Sequence, residues 1–285
     1  MDNSKAYQTE LSYANSAGSL SINLFNQKIT YYGNSITLGN NQHTLNVNLV
    51  YNSLLELKNE ETHVGKNWKL NVQEYLYYDE LKDQYTYIDG SGVSHILEKL
   101  MDNVYYDTSG LGYTLKVSNE MIITDIYNNQ LKFYRNHLVE KITVDGVDLI
   151  YEYEDDKIVS FYSKNHSYTK LIFLYNLDGL LKEIVKYVNN LKKESYKCYY
   201  FGSDKLRLVS KKYDFIETEM LFYEYVDERL VGVFNFINNE TLKLTFDNKN
   251  HVKKVITGKA TLKEKQEEKV INYLGDELYF DGGVY

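Results

Sequence analysis

The stretch that decides the fold is Leu171-Ile172-Phe173-Leu174-Tyr175-Asn176-Leu177-Asp178-Gly179-Leu180-Leu181-Lys182-Glu183-Ile184. Leu171, Phe173 and Tyr175 alternate, so they share one face of an extended strand. Asn176 to Gly179 supply residues that tolerate positive φ, as a tight turn requires. Leu181 and Ile184 then resume an apolar strand. The unit is a β-hairpin with an aromatic residue anchoring its approach to the turn.

The same unit recurs on both sides. Before it stand Leu149, Tyr151 and Tyr153, a turn Glu154-Asp155-Asp156-Lys157, then Ile158 and Phe161. After it come Tyr196, Cys198 and Tyr200 with Leu206 and Val209, then Leu221, Tyr223 and Tyr225 with Leu230 and Val233. A fifth copy runs Leu242, Leu244, Phe246 with Val252 and Val255, and a partial sixth holds Ile271, Tyr273 and Leu278. The structural anchors Tyr153, Tyr175, Tyr200, Tyr225, Phe246 and Tyr273 are separated by 22, 25, 25, 21 and 27 residues. That period fits one hairpin per repeat, with strands of roughly ten residues, each about 30 Å long.

Residues 1–135 are β-like but less regular. Leu20, Ile22 and Leu24 alternate, as do Leu45, Val47 and Leu49, and Tyr75, Tyr77 and Tyr85, Tyr87 flank a polar link. Residues 122–133 read as a hairpin. The best helical candidate is Leu54 to Asn59; Ala260 to Ile271 reads equally as a helix or an exposed hairpin. The expected fold class is therefore all-β: an irregular segment over 1–135, then antiparallel hairpin repeats over 136–285 forming a curved strip or partial shell.

Composition agrees. There are 30 Tyr and no Pro among 285 residues, and tyrosine suits a pleated surface with one wet side. The balance of 32 Lys and Arg against 40 Asp and Glu gives a net charge of -8. Phosphate recognition calls for a basic footprint, so nucleic acid is not the expected partner. No run approaches the ~20 apolar residues of a membrane helix. The first residues have neither the basic cluster nor the apolar run of a signal peptide. One cysteine, Cys198, leaves no internal disulfide, and its alternating slot reads as a small buried hydrophobe.

The unit also resembles the YD repeat of RHS proteins, most closely at Tyr175 to Ile184, with the family's arginine kept as Arg229 before Leu230. Gly18-Ser19-Leu20, Leu49 to Ser53, Gly65 to Leu70 and Tyr87 to Gly92 resemble the segment that commonly precedes such repeats. The resemblance implies a long β-strip that coils into a shell around a toxin-like cargo, or an extracellular adhesion structure. It therefore implies an extracellular or cell-surface location. Its proline-bearing self-cleavage motif and any toxin domain are absent from this sequence.

Sites for chemistry are sparse. The histidines at 43, 63, 95, 137, 166 and 251 form no local metal motif. Acidic turns such as Asp145-Gly146-Val147-Asp148 lack EF-hand spacing. No nucleophile elbow, P-loop or dinucleotide fingerprint occurs. The sequence assigns no catalytic, metal or cofactor-binding residue and no cofactor. Two readings remain. One is a non-enzymatic structural scaffold holding a protein partner or enclosed cargo. The other is a surface or virion-type adhesin binding a glycan or cell-surface protein through tyrosine-rich sheet faces.

Overall fold

The structure is a computed structural model describing residues 10–24, 26–39, 44–57, 59–166, 168–202, 204–260, 266–270, 272–274 and 277–279. It is all-β, as the alternation demands. The N-terminal region holds β1 (Glu10–Asn15), β2 (Gly18–Asn23), β3 (Ile29–Tyr32), β4 (Ile36–Gly39), β5 (Thr44–Val47), β6 (Leu49–Asn52) and β7 (Trp68–Leu70). Of these, β1, β2, β3, β6 and β7 form one antiparallel sheet in that order, and β4 and β5 a separate hairpin. The alternating run Leu45, Val47, Leu49 is split at Asn48. Its backbone N–H donates to Asn71 and its amide donates to the Gly33 carbonyl, so it joins two strands instead of continuing one.

The second region comprises β8 (Tyr75–Asp79), β9 (Gln84–Ile88), β10 (Ser94–Met101), β11 (Val104–Asp107), β12 (Thr114–Val117), β13 (Met121–Thr124), β14 (Gln130–Tyr134) and β15 (His137–Ile142). Each strand pairs antiparallel with the next. β15 then returns to β8 at His137 and Tyr75, closing an eight-stranded barrel. Backbone bonds from Leu76 N–H to Asn136 and from Leu138 N–H to Glu74, 3.0 and 3.1 Å, complete the seam. An eight-stranded barrel is just wide enough to be filled by side chains. Leu97, Leu115, Ile123, Leu131, Phe133 and Leu138 fill this one. Its outward positions include Glu98, Lys116 and Lys132, where a lipid-facing barrel carries an apolar band.

From β15 the same sheet continues through β16 (Asp148–Glu154), β17 (Lys157–Ser163), β18 (Thr169–Tyr175), β19 (Leu181–Val188), β20 (Leu191–Phe201) and β21 (Lys205–Tyr213). Beyond these lie β22 (Ile216–Val226), β23 (Arg229–Asn235), β24 (Glu240–Phe246), β25 (Val252–Lys259) and β26 (Gln266–Val270). A short pair, β27 (Asn272–Leu274) and β28 (Glu277–Tyr279), stands apart. The open strip expected from the repeats is thereby corrected. The sheet closes on itself at β8–β15, and the repeats run on from that barrel. The seam also joins β15 to strands before residue 135, so the barrel draws on both sides of that boundary. Residues 54–57 are not helical; a single helical turn begins at Asn59 and runs Asn59–Thr62, and Gln266–Val270 is strand.

The N-terminal sheet packs against the inner face of β18–β25. Trp68 lies edge-on to Tyr31, Tyr51 and Tyr223, with ring centres 5.9, 5.5 and 4.8 Å apart where Trp68 meets Tyr223 most closely. Its indole N–H donates to the Tyr225 hydroxyl at 2.9 Å. Gly18, at φ +117°, lets β2 approach this cluster: a Cβ there would fall 2.6 Å from the Tyr31 hydroxyl.

Candidate functional site

Five of the six anchors lie one after another along the inner face, each where the ladder slips by one residue. Register shifts occur at Tyr153, Tyr175, Tyr200, Tyr225 and also Phe246. A bulge there bends the strand and re-aims the ring. The Tyr175, Tyr200 and Tyr225 hydroxyls donate to the carbonyls of Ile158, Leu181 and Leu206 at 2.8, 2.8 and 2.7 Å. Those carbonyls belong to the aliphatic residue that follows the turn in the preceding repeat. Buried backbone groups must find partners, and the tyrosine supplies one where neighbouring hairpins splay.

At Leu181 and at the equivalent aliphatic positions of two later repeats, the N–H group is taken by the N-terminal region. Leu181 N–H donates to the His63 carbonyl, Leu230 N–H to the Tyr51 hydroxyl and Val252 N–H to Gln27 Oε1, at 2.6, 3.2 and 3.0 Å. The anchors therefore build the scaffold and its lock onto the N-terminal sheet. Phe246 has no hydroxyl and instead stacks under Arg229, 4.7 Å from its ring centre. Tyr273 falls in β27, and its side chain lies outside the described residues.

This accounting gives a paired prediction. Tyr200→Phe leaves the Leu181 carbonyl unpaired and should cost about 1 kcal/mol. Tyr153 has a buried hydroxyl with no partner among the described residues, so Tyr153→Phe should be neutral or stabilising. Urea unfolding of the two variants checks this, and equal losses would refute it.

Two buried polar clusters brace the same core. Lys69, fully buried, donates to the carbonyls of Asp89 and Gly90 at 2.9 Å each, and burial pulls its pKa down to about 8. Asp89 accepts from Ser91 and Val93 and meets His95 Nε2 at 3.0 Å. Burial opposes ionisation of Asp89, but His95 and these N–H donors outweigh it and hold its pKa at about 2. The second cluster sets Glu219 opposite Lys211 across β21–β22, beside Glu194. Lys211 meets Glu194 at 2.8 Å and donates to the Ser35 carbonyl. Cys198 is buried on the inner face, its thiol pushed up to about 12.

The surface open to a ligand lies on the outer face. A groove of about 460 Å³ crosses β22–β25, lined by Phe222, Glu224, Gly232, Phe234, Lys243 and Ile256 among others. Register explains its shape. Phe222 lies opposite Phe234, Glu224 opposite Gly232, and Gly232 opposite Lys243. Gly232 forms the floor: a Cβ there would come within 2.9 Å of Glu224 Oε2. Glu224 and Lys243 pair at 3.6 Å over it. Phe236 extends the aromatic wall, 4.7 Å from Phe234. The arrangement offers two ring surfaces, one carboxylate and one ammonium group. It can stack against a flat apolar face and hydrogen-bond the polar groups at its edge.

The repeat pattern, read for its inner face, passed over these residues. A signal was present: Phe222 and Phe234 occupy the out-of-phase positions, on the face opposite the anchors. Gly232, alone inside a strand, marks a notch.

No family model matches this chain, and no curated protein does. Among solved structures it is similar to a porin-like protein from Bacteroides uniformis ATCC 8492, at 11% identity and a TM-score of 0.34. That match covers 73% of this chain and 92% of the other. The resemblance to the YD-repeat family is thus corrected: no family model supports it, and the sheet is a closed barrel with strands continuing outward. The motif misled for a physical reason. An aromatic residue at a bulge, an Asn/Asp/Gly turn and an aliphatic residue are what any bulged antiparallel hairpin of this kind needs.

Proposed function

We propose that this chain is a non-enzymatic β-scaffold that works outside the cell or at a cell surface and binds carbohydrate through the groove on β22–β25. The observation that carries the reading is the division between its two faces. The inner face packs against the chain's own N-terminal sheet, with Trp68, Tyr31 and Tyr51 fully buried, which supports a ligand on the outer face over an enclosed cargo. The outer groove keeps two aromatic rings and an ion pair accessible. Sugar rings stack on such faces, and their hydroxyls pair with carboxylate and ammonium groups. The lining holds a single carboxylate, Glu224, among the described residues, whereas glycoside hydrolysis ordinarily uses two.

Gly232 supplies the test. Its φ is not in the left-handed region, and glycine inside a strand is destabilising by about 0.5–1 kcal/mol. Gly232→Val should therefore keep or slightly raise thermal stability while filling the groove. On a glycan panel the natural chain should bind saturably, and Gly232→Val and Phe234→Ala should each lose about tenfold or more. Unchanged binding in Gly232→Val would overturn the groove as the site.

A further inference from the structure

In an antiparallel meander, alternate turns fall on one rim. The turns β17–β18, β19–β20, β21–β22 and β23–β24 share such a rim. Backbone bonds join its neighbouring segments: Asn189 N–H to Tyr168, Asp214 N–H to Lys193 and Phe236 N–H to Met220, at 2.8 to 2.9 Å. This rim projects Leu191, Phe215, Ile216, Phe236 and Ile237 into solvent; Phe215 is 92% and Ile216 70% exposed.

The two-residue turns Asp155-Asp156, Asn189-Asn190, Asp214-Phe215 and Asp227-Glu228 all have positive φ at both positions. Two of these turns place a residue other than Asn, Asp or Gly at a positive-φ position: Glu228, which pairs with Lys66, and Phe215. Asn, Asp and Gly fit that conformation, and bulky residues do not. Phe215 nevertheless holds φ +73° with its ring in water. Burial of the ring does not offset that strain.

The opposite rim has a different character. Its turns carry Asp155, Asp156, Asp178, Asp204, Asp227, Glu228 and Asp247, and exposed Leu177 and Phe201 lie among these acids. On the apolar rim, charges are paired within the chain: Lys193 with Asp214 at 3.3 Å, Lys192 with Glu183 at 2.8 Å and Lys259 with Glu240 at 2.9 Å.

We propose that this rim seats on a phospholipid bilayer, with Phe215 and Ile216 inserted at the headgroup boundary and Leu191, Phe236 and Ile237 beside them. Two features select a bilayer. Successive tips stand a hairpin apart, about 10 Å from two strand spacings, so they form a row of wedges and not the continuous patch that a protein partner buries. The acidic turns named above sit on the far rim, away from the phosphates; on the inserted rim Asp214 pairs with Lys193, and Glu217, beside Ile216, accepts from the Ser210 hydroxyl. Apolar side chains at such a boundary bind in proportion to the area they bury.

The experiment is flotation of the full chain with phosphatidylcholine vesicles, together with its solution mass. Phe215→Asn restores a residue the turn favours, so it should fold at least as stably as the natural chain. The natural chain should float, and Phe215→Asn combined with Ile216→Thr should partition about tenfold less or weaker. In a separate Phe215→Trp variant, the new indole's emission should shift to the blue on adding vesicles. Natural chain left unfloated, or an unshifted Phe215→Trp signal, would overturn the proposal. So would vesicle-independent self-association abolished by Phe215→Asn, which would assign the rim to a second copy. Glycan binding by the groove is read separately, so failure of one leaves the other standing.

Discussion

Trp68→Ala should lower the stability of the protein by about 3–5 kcal/mol, the range for removing a large buried aromatic side chain. Against a typical total of about 5–15 kcal/mol, that is a large share, and a midpoint fall of about 5–8 °C follows for a chain of this size. The loss is more than a cavity. Trp68 donates to Tyr225, and Tyr225 donates to the Leu206 carbonyl, so one substitution removes the indole donor from a hydrogen-bond relay between N-terminal sheet and repeats. The three edge-on ring contacts with Tyr31, Tyr51 and Tyr223 go with it. Thermal unfolding followed by circular dichroism checks the effect, with Trp68→Phe expected to recover part of it. A shift of only a degree or two would mean that the N-terminal sheet is not what holds the inner face.

The hairpins were legible because each is specified locally. Alternation fixes the inner face from Leu171 to Tyr175, and the turns Glu154 to Lys157 and Asn176 to Gly179 are announced by residues that tolerate positive φ. Barrel closure had no such signal. It depends on His137 meeting Tyr75, residues far apart in sequence whose pairing no alternation records. The role of the N-terminal region was hidden for a related reason. Gln27, Tyr51 and His63 meet the repeats through a side-chain amide, a hydroxyl and a backbone carbonyl, groups that almost any sequence offers. What the sequence showed as repeated anchors proved to be half of a hydrogen-bond system whose other half lies over a hundred residues away. The groove stayed hidden because it is made by an absence: one missing side chain at Gly232 between residues that would otherwise read as an ordinary outer face.

The second large effect concerns pH. Glu219 is buried between the repeats and the N-terminal sheet, 6% exposed. Burial raises its pKa to about 7; Asn34 and Lys211 work against the rise, and Glu194 adds to it. In the unfolded chain the same carboxyl titrates near the ordinary value of 4.5. Between about 4.5 and 7 the folded state therefore holds a proton that the unfolded state has lost, so this group's contribution to stability falls as pH rises through that window. Above pH 7 the full penalty is present, on the order of 3 kcal/mol. Glu219→Gln keeps the shape and removes the titration. It should match the natural chain near pH 4 and exceed it by up to about 3 kcal/mol at pH 8. Taking the difference between the two proteins at each pH cancels other titrations, including that of Asp89, whose stabilisation is lost only as pH falls from 3.8 towards 2. Lys69 acts in the opposite sense. Its folded pKa of about 8 lies below 10.5, so its contribution grows as pH climbs from 8 to 10.5, above the window in question. Urea midpoints at pH 5 and 8 decide the matter. A gap between variant and natural chain that does not widen with pH would mean that Glu219 is already ionised when the protein is folded in acid, with Lys211 compensating its charge.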